Sequence, residues 1–450
     1  MMKRIPLVAA LMWAGVTHTV QAADLLQSWQ AAQQHNPDMA AARAVYEQAA
    51  LRQDQARALF KPMVMATGAV GVGGMDSKTT GAQAMGQSDV AFKTSIDAGL
   101  TTRAGIAAQQ AWISPEREAQ AKQLELSAQV ALAQWQQAQQ GLMLQTAQRY
   151  FAVVQAEHAL RVMRQQQKTV QQAAQEIAKR QSVGDASSMD VQEANARVSD
   201  IRAQVLTLEN QLAMAQVAYQ QSTGLPNSQV QGLGNTSPTP RDLSDASTWV
   251  QRAQQQSPNL QIMSLQQQLQ SQEVKRIKAA DAMSLNWVAQ AQIDRSAGHG
   301  SYGNATQHMG NYLVGLQLHA PLSTGGMVDV REREALKQAE KLGFDQASAR
   351  LQVEQQVRDA WQNLSTATQR LQALDQSLKA SQARVAATRN AHRTGARTTN
   401  EWLGAEHDAA QAELNLMQAR IQTAIERLRL SAVAGSLDEA QLRDVNALLQ

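Results

Sequence analysis

The chain carries two copies of the same half. "AQQHNPDM" (Ala32 to Met39) matches "AQQQSPNL" (Ala253 to Leu260) at a shift of 253 − 32 = 221 residues, and Gly105 falls on Gly326 at that shift. Farther on, Tyr150 and Trp361, Gly184 and Gly395, and Gly224 and Gly435 are each 211 apart. One change of ten residues between Gly105 and Tyr150 reconciles two copies of roughly two hundred residues. That period is far longer than a solenoid repeat. Whatever one half builds, the other is expected to build again.

Within each half, two short segments change from helical to twofold periodicity. "SDVAFKTSIDAGL" places Val90, Phe92, Thr94, Ile96, Ala98 and Leu100 on one face and Asp89, Lys93, Ser95 and Asp97 on the other. "DAMSLNWVAQAQID" sets Met283, Leu285, Trp287, Ala289, Ala291 and Ile293 against Ser284, Asn286, Gln290, Gln292 and Asp294. "NYLVGLQLHA" alternates likewise through Tyr312, Val314, Leu316 and Leu318, with Leu313 out of pattern. The fourth segment, "PMVMATGAVGVGG" from Pro62, is blurred by its small residues. Each alternates for about ten residues, the length a tilted strand needs to cross a bilayer. Gly-, Ser- and Asn-rich linkers, Gly73 to Gln87 and Arg295 to His308, are expected to join the members of each pair.

The remainder is expected to be helix. Between Pro115 and Val183 there is no proline, and Gly141 alone interrupts, so Glu116 to Gln181 can run about 100 Å at 1.5 Å per residue. Two stretches step by threes and fours: Ile201, Val205, Leu208, Leu212, Ala215, Tyr219, and Leu414, Met417, Ile421, Ala424, Leu428. These are coiled-coil seams, and packing alone accounts for such stripes.

Composition sets the compartment. "MMKRIPLVAALMWAGVTHTVQA" has a basic start at Lys3 and Arg4, an apolar run from Ile5 to Val16, and a small-x-small site at Val20 to Ala22. It predicts an exported protein cut after Ala22. Without Lys3 and Arg4 the 41 basic residues fall to 39 against 38 acids, a net charge of about +1 that gives no case for nucleic acid. The chain has no cysteine, hence no disulfide, thiolate metal site or cysteine for a lipid anchor. No apolar run after Ala22 is long enough for a transmembrane helix, so a membrane crossing must use strands. Four strands cannot close a barrel, and an open edge in lipid leaves backbone groups unpaired at several kcal/mol each. The chain must therefore oligomerise if its strands enter a membrane, and the expected object is a shared pore on a helical tube.

These features reach a family. The duplicated "NP" and "SP" pairs at Pro37 and Pro258, "QTAQRYFAVVQAEHAL" (Gln145 to Leu160) and "HAPLSTGG" (His319 to Gly326) come in order. So do the hinges "SVGDASSMDV" and "RTGARTTNEWL" and the ending "AGSLDEAQLRDVNALL". With the duplication, they make the chain resemble the TolC family of outer-membrane channel-tunnels from Asp24 to the C-terminus. The resemblance implies an α+β membrane protein with four transmembrane β-strands and long coiled-coil α-helices per chain. Three chains would form a 12-stranded β-barrel on an α-helical periplasmic tunnel. The expected divisions are a signal peptide at 1–22, a first structural repeat (helix, strand pair, helical hairpin) at 23–226, a linker at 227–241, a second repeat at 242–437 and a C-terminal tail at 438–450.

The same resemblance puts a periplasmic gate at the second hinge. The family arginine falls on Arg397 and its first constriction acid on Glu401; the second acid falls on Gly404, which leaves a single glutamate ring. Asp190 and His392 match positions whose links across neighbouring coils hold such tips shut, with His392 where a phenol is usual. The tips at Val183, Gly184 and Gly395 would receive an adaptor's helical hairpins. Local chemistry also explains these residues without a gate. Ser187-x-x-Asp190 and Thr398-x-x-Glu401 have capping-box spacing, and Gly184 and Gly395 suit left-handed helix ends.

Other signals do not carry a function. "GHGSYG" (Gly298 to Gly303) fits a dinucleotide-binding pattern but lies between two strands with no helix to hold a pyrophosphate. His299, His308 and His319 lack the spacing of a compact metal set, and the 17 methionines are dispersed. No nucleophile–base pattern occurs, so neither a catalytic residue nor a cofactor is expected. By resemblance the chain is a homotrimeric exit duct in contact with outer-membrane lipid, with its helical part in the periplasm. It would work with a periplasmic membrane-fusion adaptor and an inner-membrane ABC transporter in type I protein secretion, which the absent lipid-anchor cysteine and the "PLSTGG" junction favour. The alternative is drug or small-molecule efflux with a proton-driven pump. An exported structural coiled coil would explain the heptads but not the four alternating segments.

Overall fold

The computed structural model describes residues 23–84, 86–225, 230–234 and 244–449. The expected signal peptide and most of the expected linker lie outside them. The chain divides into two compact units, each drawing on both sequence repeats.

One unit comprises Ala44–Gln134 and Asn259–Ala349 and is built on a single antiparallel sheet. Its strands β1 (Met63–Ala84), β2 (Gln87–Ile113), β3 (Ser284–Gly300) and β4 (Gly303–His319) pair in the order β1-β2-β3-β4. The register sorts most of the side chains, with Met63, Met65, Val288, Leu313 and Met309 as apolar exceptions on the polar face. Val64, Ala66, Val70 and Val72 of β1 share a face with Leu100, Ala104, Ile106 and Ala108 of β2. Leu285, Trp287, Ala289, Ala291 and Ile293 of β3 continue that face to Leu318, Leu316, Val314, Tyr312 and Gly310 of β4. Its large members, Ile106, Trp287, Ile293, Tyr312 and Leu316 among them, are exposed. The opposite face carries Arg103, Thr101, Gln290, Gln292, Asp294, Ser296 and Asn311. A sheet with one face largely apolar yet exposed and the other largely polar suits a bilayer wall better than a soluble core.

The strands differ from the expected ones in length and position. Both glycine-rich linkers are mostly strand: pairing runs on through Gly73–Ala84 and Arg295–Gly300, and Ser301 and Tyr302 alone turn the second hairpin. Alternation marks where side chains meet lipid, whereas the backbone ladder extends beyond that band wherever hydrogen bonds can be made. In β2 the part that pairs on both sides is Gly99–Gln109, downstream of most of the expected segment. Residues 87–96 pair with β1 alone, as a two-stranded ribbon. Alanine, threonine and glycine at 101–108 hide the twofold pattern of the two-sided portion. A bulge between Gly73 and Met75 and a close-packed set of glycines mark where the ribbon begins. There Ile96 is buried, and a Cβ on Gly300 would sit 2.0 Å from the Ser95 carbonyl oxygen.

The other unit contains the segment ending at Arg43, Trp135–Pro258 and Arg350–Gln450, and is helical. The helices of the chain are α1 (Leu25–His35), α2 (Pro37–Ala58), α3 (Pro115–Ser182), α4 (Ser188–Thr223), α5 (Ala246–Gln256), α6 (Pro258–Lys278), α7 (Met327–Arg393), α8 (Thr399–Val433) and α9 (Glu439–Asn446). The duplicated NP and SP pairs have a plain local role. Asn36 and Ser257 end one helix, and the proline opens the next at its first position, where a missing N–H costs nothing. Asn36 Oδ1 also accepts from the amide of Asp38 at 2.8 Å. The 68 residues of α3 and 67 of α7 confirm the long uninterrupted helices.

The helical unit packs around Trp29 of α1, Tyr150 and Phe151 of α3, Tyr219 of α4, Ile421 and Leu428 of α8, and Leu442 and Val445 of α9. Both expected seams are in use: Ile201, Val205 and Tyr219 are buried, as are Met417, Ile421, Ala424 and Leu428. The short segment 230–234 ties the ends of the chain together, bridging Ala23 through Val230 and Leu449 through Leu233. The buried Tyr150 hydroxyl donates to the Gln231 carbonyl at 2.8 Å. Among the described residues no helix is long and apolar enough to cross a membrane.

Candidate functional site

The two hinges lie in the helical unit and are built alike. At the first, α3 ends in a Schellman turn: Asp185 N–H donates to the Arg180 carbonyl (2.8 Å) and Gly184 N–H to that of Gln181 (3.0 Å). At the second, Ala396 N–H donates to Ala391 (2.8 Å) and Gly395 N–H to His392 (3.0 Å). Gly184 and Gly395 hold φ of +85° and +74°, the left-handed conformation that only glycine adopts at no steric cost. Nothing lies within 4 Å of either Cβ position, so both backbones are open to an approaching partner. Val183 beside Gly184 is 72% exposed.

Each hinge then closes with the expected capping box. Ser187 Oγ accepts from Asp190 N–H at 3.1 Å, and Asp190 Oδ2 accepts from Ser187 N–H at 2.9 Å. Thr398 Oγ1 accepts from Glu401 N–H at 3.2 Å, and Glu401 Oε2 accepts from Thr398 N–H at 2.8 Å. In addition, Arg397 Nη1 pairs with Glu401 Oε1. Arg397 and Glu401 are thus brought together, with both side chains substantially exposed. The amide of Thr398, followed by Arg397 and the Thr398 hydroxyl, holds the Glu401 carboxyl below its ordinary range. The amide and then the hydroxyl of Ser187 do the same for Asp190.

His392 is not joined to Asp190 within the chain. Its Nε2 lies 3.1 Å from Thr399 Oγ1, and its ring stacks on Trp402 at 5.4 Å between centroids. Trp402 Nε1 donates to Glu406 Oε1 at 3.0 Å. This His392–Trp402–Glu406 set was not expected; its one sequence signal is a tryptophan directly after the capping acid. Nor were the polar contacts between α3 and α8, where Gln166 Nε2 lies 2.9 Å from His407 Nδ1 and His158 Nε2 lies 3.4 Å from Glu413 Oε1. Gly404, where a second acid was considered, has open space at its Cβ position.

A sheet with one apolar, exposed face and two hinged helical hairpins has the outline of a conduit. The family profile described as "Outer membrane efflux protein" matches residues 29–225 and 249–436, one segment in each half of the chain. The chain belongs to the outer membrane efflux protein family. The outer membrane protein TolC of Vibrio cholerae is 23% identical over 451 residues, covering all of this chain and 99% of that one. The alkaline protease secretion protein AprF of Pseudomonas aeruginosa is 25% identical over 312 residues, 68% of this chain and 64% of that one. In fold the chain is similar to the Campylobacter jejuni CmeC outer membrane channel, with a TM-score of 0.74, 13% identity and coverage of 100% and 98%.

As an outer membrane efflux protein, the chain is a channel component of the outer membrane with its helical part in the periplasm, and not an enzyme. The exported coiled-coil stalk weighed on sequence alone is ruled out by the family and by the four-stranded sheet.

Proposed function

We propose that three copies of this outer membrane efflux protein form the exit duct of a tripartite export machine. The observation that carries this reading is the sheet: its outer face is apolar, and β1 and β4 are edge strands without a second neighbour. In lipid those edges must be paired, and pairing β4 of one copy with β1 of the next closes a barrel. Twelve strands from three chains is the number the family resemblance implies. Each chain then supplies two hairpins, and six hinges ring the periplasmic mouth. Light scattering on detergent-extracted protein should give three chains per particle, and planar bilayers should show discrete conductance. A monomer, or silent bilayers, would remove the proposal.

In this assembly three Glu401 carboxylates around a narrow axis would attract cations and repel anions, each oriented by Arg397. Asp190 and His392 would link neighbouring coils in the shut state. Val183, Gly184 and Gly395 would receive the hairpins of a periplasmic membrane-fusion adaptor. The division into export signal, repeats, linker and tail belongs to the same proposal.

The cargo we infer is protein, moved by an inner-membrane ABC transporter in type I secretion. The support is the likeness to AprF, whose name is that of a protease secretion protein, and the PLSTGG junction at Pro321 to Gly326. Small-molecule efflux with a proton-driven pump is the second reading, favoured by the family's description. Culture-medium proteins compared with and without the gene decide between them. Loss of one or a few large proteins supports secretion and identifies the cargo, whereas an unchanged medium with raised sensitivity to small toxic compounds supports efflux.

A further inference from the structure

The polar face of the sheet carries a charged site far from the hinges in sequence. Arg103 on β2 stands opposite Asp294 on β3, and its Nε donates to Asp294 Oδ1 at 2.7 Å. Gln292 Nε2 donates to Asp294 Oδ2 at 2.7 Å, so both carboxylate oxygens are engaged. Two residues farther along, Thr101 and Ser296 pair through their hydroxyls at 3.1 Å.

The two charges are displayed unequally. The Asp294 side chain is 19% exposed and that of Arg103 is 58%. Arg103 uses Nε alone, and its two terminal nitrogens have no hydrogen-bond partner among the described residues. Arg103 and Asp294 both line a recess of about 470 Å³, with Gly71 and Gly73 of β1 on one side and Gln307 and Met309 of β4 on the other. The glycines keep the wall low, so no side chain of β1 covers the guanidinium at those positions. Gln307 Oε1 is buried there without a partner among the described residues. On the opposite face the flanking positions are Ala104 and Ile293 toward one end and Thr102 and Arg295 toward the other, so Arg103 and Asp294 sit on the polar side at the margin of the apolar band.

We propose that Arg103 forms a threefold ring of guanidinium groups in the barrel lumen that raises the permeability to anions relative to cations, against the pull of the Glu401 ring at the hinges, with Asp294 as its positioning residue. The proposal rests on the trimeric channel reading. The pair is neutral as a whole, but its cation is about three times as exposed as its carboxylate, both of whose oxygens are already engaged. A planar fork with free N–H groups suits carboxylate, phosphate and chloride better than any cation. Because screening acts within about 8 Å at physiological salt, such a ring tunes a wide lumen without blocking it.

Reversal potentials in a potassium chloride gradient test this on the full-length protein in planar bilayers. Arg103→Gln leaves Asp294 uncompensated and should lower the chloride-to-potassium permeability ratio about twofold, while Asp294→Asn should raise it by a similar factor. The charge swap R103D/D294R retains the cross-strand pair, so it decides the matter should either single variant fail to assemble; it should shift the preference toward potassium. Conducting channels with the same reversal potential in wild type and variants would overturn the ring and leave the channel reading intact. A wild-type protein that never conducts would instead remove the channel reading, and this inference with it.

Discussion

At each hinge one carboxylate oxygen closes the capping box: Asp190 Oδ2 takes both the amide and the hydroxyl of Ser187, and Glu401 Oε2 takes those of Thr398. These bonds favour the ionised acid, so the folded-state affinity for protons is depressed at both. A depressed carboxylate stabilises the fold above its unfolded pKa, and that contribution is lost as pH falls through the folded value. With ordinary values of about 3.9 for Asp and 4.3 for Glu, the caps should be whole at neutral pH and lost below about pH 4. Amide hydrogen exchange in the first turns of α4 and α8 should accelerate in that range beyond the intrinsic trend, while the core helices around Tyr150 stay protected. Glu401→Gln separates cap from ring, because glutamine at that position can still serve the cap. Divalent-cation block from the periplasmic side should weaken several-fold in this variant; unchanged block would leave Glu401 a helix cap only.

At the level of elements, β2 shows what periodicity can and cannot convey. The second hairpin was legible because Leu285, Trp287, Ala289, Ala291 and Ile293 alternate with polar residues except at Val288, and the register puts them on one face. In β2 the stretch Thr101–Ala108 is rich in small residues, so its two faces differ little in hydrophobicity and the strand continued past its expected end. Neighbouring positions now make a sharp comparison. Ile106 lies on the apolar face beside Ala291, and Ala107 on the polar face beside Gln290. Ile106→Lys should cost about 2–4 kcal/mol of insertion if it meets the bilayer midplane, and Ala107→Lys should be tolerated. The amount of assembled, heat-modifiable protein in outer-membrane fractions measures both. Equal loss from the two would invert or void the face assignment. The helices were easier to read, since a 68-residue run without internal proline has few alternatives to one long helix.

For the whole molecule, the described hinges combine an open backbone with an exposed apolar residue, which suits reversible docking of another helical hairpin. Val183→Glu should leave the quantity of assembled outer-membrane protein unchanged and reduce export, because Val183 is exposed and supports no core cluster. Full export by that variant would show that the first hinge does not bear the adaptor. The hinge caps and glycine turns were legible in the sequence, since their chemistry is local. Trp402 against His392 was not, because a stack between residues on either side of a turn depends on how closely α7 and α8 approach.

The sequence by itself determined the duplication, the long helices, both coiled-coil seams, the hinge caps and the membrane-facing alternation of the second strand pair. All of these are written in near-neighbour spacing or in residue identity, and their free energies arise within a few residues. Only the tertiary structure decided which part of β2 pairs on both sides, how far the ladders run past the apolar band, and that Arg103 meets Asp294. Those facts are set by register between segments nearly two hundred residues apart. A slip of a single residue would send every side chain to the other face, and no local spacing records which register is formed.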